Sequence, residues 1–159
     1  MTKKLFRIIT YTMCFSLLIS CIVLAKDKTI TRTPIETETV FINGEIFYLK
    51  TYISNSSNKD EELTRGTITR TKTSNLENSA GQVMISVSVT GTFTYDGYNA
   101  TCISCSGSSA SYHSAWYISN YYVSRSGNSA TNYTTAVQNN TYTYHKNVTI
   151  SCSADGTIY

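Results

Sequence analysis

Residues 81–97 read GQVMISVSVTGTFTYDG. Val83, Ile85, Val87, Val89, Phe93 and Tyr95 share one parity, and Met84, Ser86, Ser88, Thr90, Thr92 and Thr94 share the other. Successive side chains of a strand point to opposite faces, so the alternation predicts one long strand with a buried face and a wet face. Gly91 falls on the apolar parity and predicts a bulge or bend there. Asp96-Gly97 favours a two-residue hairpin turn, and residues 98–105 then return as the next strand.

The same character continues downstream. SYHSAWYISNYYVS (111–124) is β-branched and aromatic, and it ends at the turn signal Ser126-Gly127-Asn128. Residues 129–137 form a weaker strand, Asn139-Asn140 a turn, and residues 142–153 a last strand with Val148, Ile150 and Cys152 inward. Asp155-Gly156 closes it. Short strands at this spacing predict an all-β sandwich or barrel. The expectation is an immunoglobulin-like or fibronectin-like β-sandwich over residues 66–159. Upstream, residues 26–65 form a polar segment. Within it, Asn43-Gly44 joins two apolar-rich runs, which is a strong hairpin signal. Residues 54–66, SNSSNKDEELTRG, read as a charged linker. Either the hairpin joins the main sheet or the segment is a loosely attached arm.

The N-terminus carries a different message. Lys3, Lys4 and Arg7 precede an uncharged, mostly apolar run from Ile8 to Ala25, followed by short side chains at Val23 and Ala25. That is the three-part pattern of a secretory signal peptide, residues 1–25, with cleavage after Ala25. Two alternatives stay open. An uncleaved anchor would need about 20 apolar residues. Leu18-Ile19-Ser20-Cys21 is similar to a lipobox, which would place a lipid on Cys21.

Ten Lys and Arg face ten Asp and Glu beyond the three basic leader residues, so the net charge of +3 belongs to the leader. A neutral mature chain argues against nucleic-acid binding. It leaves the leader or a lipid as the only expected tie to a membrane. The segment 81–159 carries only Asp96, Arg125, Lys146 and Asp155 as charged residues. No P-loop, dinucleotide, H-E-x-x-H or G-x-S-x-G motif occurs. The expectation is a non-enzyme with no cofactor and no metal. His113 and His145 have no acidic neighbour in sequence that would mark a catalytic pair.

TCISCSG (101–107) holds two of the three cysteines beyond the leader; the third is Cys152. In a regular strand, residues three apart are about 10 Å apart and face opposite ways, whereas a disulfide needs Cα atoms within about 7 Å. A redox Cys-x-x-Cys also sits at a helix start, and Ser106-Gly107-Ser108-Ser109 is a turn sequence. Zinc wants four ligands, and this spacing matches no zinc pattern. The expected arrangement is a Cys102–Cys152 disulfide, with Cys105–Cys152 as the alternative. Its loop of about 50 residues would nominally contribute about 4 kcal/mol.

Tyrosine is the remaining unusual feature. Too many rings crowd this domain for all to be buried, and Tyr with Ser, Gly and Asn is the composition of binding loops. Tyr98, Tyr112, Trp116, Tyr117, Tyr121 and Tyr122 are the candidate aromatic surface, with a protein or carbohydrate ligand. Asn55, Asn99, Asn132, Asn139 and Asn147 head N-x-S/T sequons, which matter where exported chains are glycosylated.

A basic leader, a polar segment, then Thr64-Arg65-Gly66 entering a Ser/Thr/Tyr-rich domain that ends near TISCSADG (149–156) resembles small Sec-exported β-rich proteins of Gram-positive bacteria. VTISCSA (148–154) looks like the cysteine strand of antibody variable domains. SNYYVSRSGNSAT (119–131) resembles a Sec-exported bacteriocin of β-sandwich type. These likenesses imply an exported β domain and transfer no catalytic residue. The expected function is therefore binding, at the cell surface or in the medium. The alternatives are a secreted antibacterial or toxin-like protein and a lipid-anchored surface protein.

Overall fold

The computed structural model describes residues 33–54 and 65–159. The leader, Cys21, the Ala25 cleavage position and most of the charged linker lie outside the described residues. Eight strands run in order: β1 (Glu36–Ile42), β2 (Glu45–Ile53), β3 (Gly66–Asn78), β4 (Val83–Tyr95), β5 (Ala100–Ser111), β6 (Trp116–Ser126), β7 (Ser129–Gln138) and β8 (Tyr142–Ser151). They form a five-stranded antiparallel sheet, β1-β2-β3-β4-β5, and a three-stranded one, β6-β7-β8.

The upstream hairpin belongs to the larger sheet. Asn43 and Gly44 both take positive φ, 51° and 80°, as the expected turn demands. β2 then pairs with β3 from Phe47↔Asn78 to Ile53↔Lys72. Immunoglobulin and fibronectin sandwiches interleave their sheets through Greek-key crossings. Here each sheet is a plain meander, and the chain changes sheet once, between β5 and β6.

β4 is the spine. Ile85, Val87, Val89 and Phe93 are all buried, and each such side chain contributes roughly 1.5–3 kcal/mol on leaving water. Ser88, Thr90 and Thr92 point the other way and pair their hydroxyls with Ser108, Thr71 and Thr69 at 2.7–2.9 Å. Met84, expected on the wet parity, is buried instead. The register steps from Leu76↔Ile85 to Glu77↔Val83, so Met84 is an extra residue and turns into the core. The anticipated Asp96-Gly97 two-residue turn is a four-residue connection. Asp96 Oδ1 accepts the Tyr98 and Asn99 amides at 2.9 and 2.7 Å.

Two apolar clusters fill the space between the layers. One gathers Phe47, Leu76, Met84, Ile85 and Trp116. Trp116 meets Phe47 and Tyr144 edge-on, at 5.9 and 6.2 Å between ring centres, the T-shaped geometry that aromatic quadrupoles favour. The other cluster gathers Val87, Val89, Phe93, Ile150 and Cys152.

Along the inner face of β7, Ala130 belongs to the second cluster and Ala136 to the first; Asn132 and Thr134 lie between them. Asn132 is fully buried. Its amide donates across the layers to the Ser88 carbonyl at 2.8 Å and the Ser108 carbonyl at 3.1 Å. Its Oδ1 accepts from Thr134 at 3.2 Å, and Thr134 also shares a hydrogen bond with Ser109 at 2.6 Å. Gly107 makes this approach possible. A Cβ there would lie 2.6 Å from the Ser88 carbonyl and 2.9 Å from Val123 Cγ2. This polar bolt holds β7 to the larger sheet. It also means that the Asn132 sequon is closed to a glycan in the folded chain, whereas Asn99, Asn139 and Asn147 are exposed.

Candidate binding face

Position on β6 decides which tyrosines share a face. The register runs Ile118↔Ala136 and then Asn120↔Thr135, so Ser119 is an extra residue. Its hydroxyl donates to the Thr135 carbonyl at 3.1 Å. This bulge resets the parity. Tyr117, Asn120 and Tyr122 therefore point outward together, while Val123 and Arg125 point inward. Val123 meets Gly107. Arg125 donates to the carbonyls of Cys102 and Ile103 at 2.8 and 2.6 Å.

On the outer face of the small sheet, rows run across three strands. Tyr117, Val137 and Thr143 form one row; Asn120, Thr135 and His145 the next; Tyr122, Tyr133 and Asn147 a third. Tyr122 and Tyr133 stack, 4.7 Å apart at 14°, so each ring covers one face of the other. Tyr122 stands on the edge strand and is 56% exposed. With Tyr133 on one face and more than half of its surface exposed, the Tyr122 ring keeps area open to solvent. Thr135 and His145 share a hydrogen bond at 3.1 Å. No residue in these rows carries a formal charge. The face offers rings, amides and hydroxyls without an electrostatic field to select for ions.

The six aromatic candidates do not form one surface. Tyr117 and Tyr122 come together on this face. Tyr121 has the opposite parity and emerges at the sheet edge, 46% exposed. Tyr98 lies in the β4–β5 turn and Tyr112 in the β5–β6 connection; both are exposed and remote in the chain's register from these rows. Trp116 is a core residue, 4% exposed. Tyr133 and Asn147 complete the face, and only the pairing of β6, β7 and β8 reveals them. Tyr144 faces inward, where burial pushes its phenol up to about 12.

The expected disulfide is absent from the structure: Cys102, Cys105 and Cys152 are free thiols. The reading that Cys102 and Cys105 face opposite ways also needs correction. The register steps from Thr92↔Ser104 to Phe93↔Cys102, leaving Ile103 as a bulge. Cys102 is buried, Ile103 is exposed, and Cys105 packs against the same cluster as Cys102 and Cys152. Cys102 Sγ and Cys152 Sγ each turn to a nearby carbonyl, of Ser104 and Ser153, at 3.3 Å. Burial raises both thiols above their ordinary pKa; Cys105 adds to the rise at Cys102, and Asp155 at Cys152. A thiol held protonated is a poor nucleophile, and Cys102 and Cys152 pack within the apolar cluster. Among the described residues, no three His, Cys, Asp or Glu side chains gather as a metal site requires. Comparison with family models, with curated proteins and with solved structures gives no match for this chain.

Proposed function

We propose that the chain is an exported binding protein, working at the cell surface or in the medium, whose ligand is a neutral glycan. Export rests on the leader pattern of residues 1–25. Binding rests on one observation: the exposed ring of Tyr122, stacked on Tyr133 and flanked by uncharged amides and hydroxyls. A flat ring pairs with the C–H face of a sugar, and amides and hydroxyls pair with its hydroxyl groups.

Size favours a glycan over a folded partner. Three strands by three rows cover on the order of 15 Å by 20 Å. That is well below the roughly 800 Å² per partner of a stable protein interface, and it suits a few linked sugar rings.

The test is to incubate the secreted chain with intact cells of its host and of neighbouring species, and then with the sugars stripped from their envelopes. Saturable cell binding, competed by a neutral oligosaccharide and without growth inhibition, supports the reading. Killing of neighbouring cells would instead assign the antibacterial role.

A further inference from the structure

At one end of the sandwich the β1–β2, β3–β4 and β7–β8 turns and the β5–β6 connection surround a cleft of about 640 Å³. Phe47, Met84 and Trp116, all buried, give it an apolar wall. Trp116 and Gln138 are register partners on the inner side of β6 and β7. The cleft is therefore separate from the outer face, and a ligand bound in it is independent of the glycan reading.

Gln138 is the decisive residue. It is 5% exposed, and its Nε2 donates to Glu45 Oε2 at 3.2 Å. That bond fixes the amide, because the opposite orientation would set oxygen against carboxylate. Gln138 Oε1 is then a buried acceptor with no partner. Such an orphan is destabilising, and buried polar groups in folded chains are nearly always satisfied. Gln138 lines the cleft, and the terminal torsion of a glutamine is broad and soft, so the amide can turn Oε1 toward a donor seated there while Nε2 stays near Glu45.

The remaining polar groups say which donor. Glu45, exposed at the rim, is the single formally charged residue among those lining the cleft. His113 Nδ1 accepts the Ala115 amide at 3.2 Å, which places the proton of the neutral ring on Nε2. Asn78, Ser79 and Asn139 add amides and a hydroxyl that can donate or accept, so the groups that select are the orphaned Gln138 Oε1 and the anionic Glu45 carboxylate, over an aromatic and thioether floor.

We propose that this cleft binds a small organic ammonium ion, its N–H donors on Gln138 Oε1 and the Glu45 carboxylate, its apolar body against Phe47, Met84 and Trp116. A charged donor is worth more than a neutral one at such a pair of acceptors, and a carboxylate ligand would meet Glu45 as a like charge.

Trp116 is the single tryptophan of the chain, so its fluorescence reports on the cleft directly. The experiment titrates the full secreted chain with cyclohexylmethylammonium, with the corresponding alcohol, and with the corresponding carboxylate. The expected result is a saturable shift with the ammonium, at least tenfold weaker response to the alcohol, and none with the carboxylate. Glu45→Gln and Gln138→Leu should each weaken the ammonium response at least tenfold, with thermal unfolding confirming that each variant is folded. Should Gln138→Leu fail to fold, the exposed Glu45→Gln decides. No saturable response to the ammonium, equal responses to all three probes, or unchanged binding by the folded variants would overturn the assignment. Loss of ammonium binding with intact glycan binding, or the reverse, shows that the two sites stand independently.

Discussion

Asn132 of β7 reaches across the layers to the Ser88 carbonyl of β4 at 2.8 Å, fully buried. Its two outward neighbours on the strand are Thr131 and Tyr133, so the bolt also fixes the middle strand of the candidate binding face. Asn132→Asp removes the donor and points carboxylate lone pairs at two carbonyl oxygens. The expected cost is at least about 3 kcal/mol, the scale of an unpaired buried charge. Asn132→Leu, which only loses the hydrogen bonds, should cost about 1–3 kcal/mol. Urea unfolding measures both, as a lower midpoint at unchanged slope.

Gly107 tests the same contact from the other side. A methyl there meets the Ser88 carbonyl, which is backbone and cannot swing away. Gly107→Ala should destabilise by about 1–3 kcal/mol, as overpacking does. Ser106→Ala, one residue away on the exposed face of β5, should stay within about 0.5 kcal/mol.

Tyr144 sets an alkaline limit. Its phenol is raised to about 12 because burial disfavours the phenolate, whereas an unfolded tyrosine ionises near 10. The folded state therefore holds a proton that the unfolded state has released. That contribution is complete below about pH 10 and is lost as pH rises through about 12. Thermal unfolding measured across this range should show a falling midpoint, and Tyr144→Phe should flatten it.

Thiol labelling under reducing conditions should modify Cys105 first, since it is only half-buried, and Cys102 and Cys152 only on unfolding. The same labelling in denaturant without reductant should reach all three thiols; a pair that labels only after reductant is added would contradict the free thiols of the structure.

Strand parity and turn chemistry were legible in the sequence. The alternation of 83–95 placed Val87, Val89 and Phe93 in the core, and Asn43-Gly44 and Asn139-Asn140 placed two turns, each with positive φ. Three bulges were hidden, at Met84, Ile103 and Ser119. A bulge shifts every later side chain to the other face, and it is chosen by the partner strand rather than by local composition. Hence Met84 entered the core, Cys102 and Cys105 came to one side, and Tyr122 rather than Tyr121 joined Tyr117. The Asn132 network was equally hidden, because a sequon and a buried bolt look alike until the sheets are stacked.

The binding face itself is tested most directly by paired substitutions read against cell binding. Tyr117→Ser with Tyr122→Ser removes the two β6 rings of the small sheet's outer face, leaving Tyr133 and the core in place, and Thr90→Ala with Thr92→Ala alters the outer face of the large sheet as a control. If the rings carry the glycan, the tyrosine pair weakens binding to host cells at least tenfold while the threonine pair binds as the unaltered chain does. Full binding by the tyrosine pair, with both variants folded, would contradict a ligand seated on Tyr122.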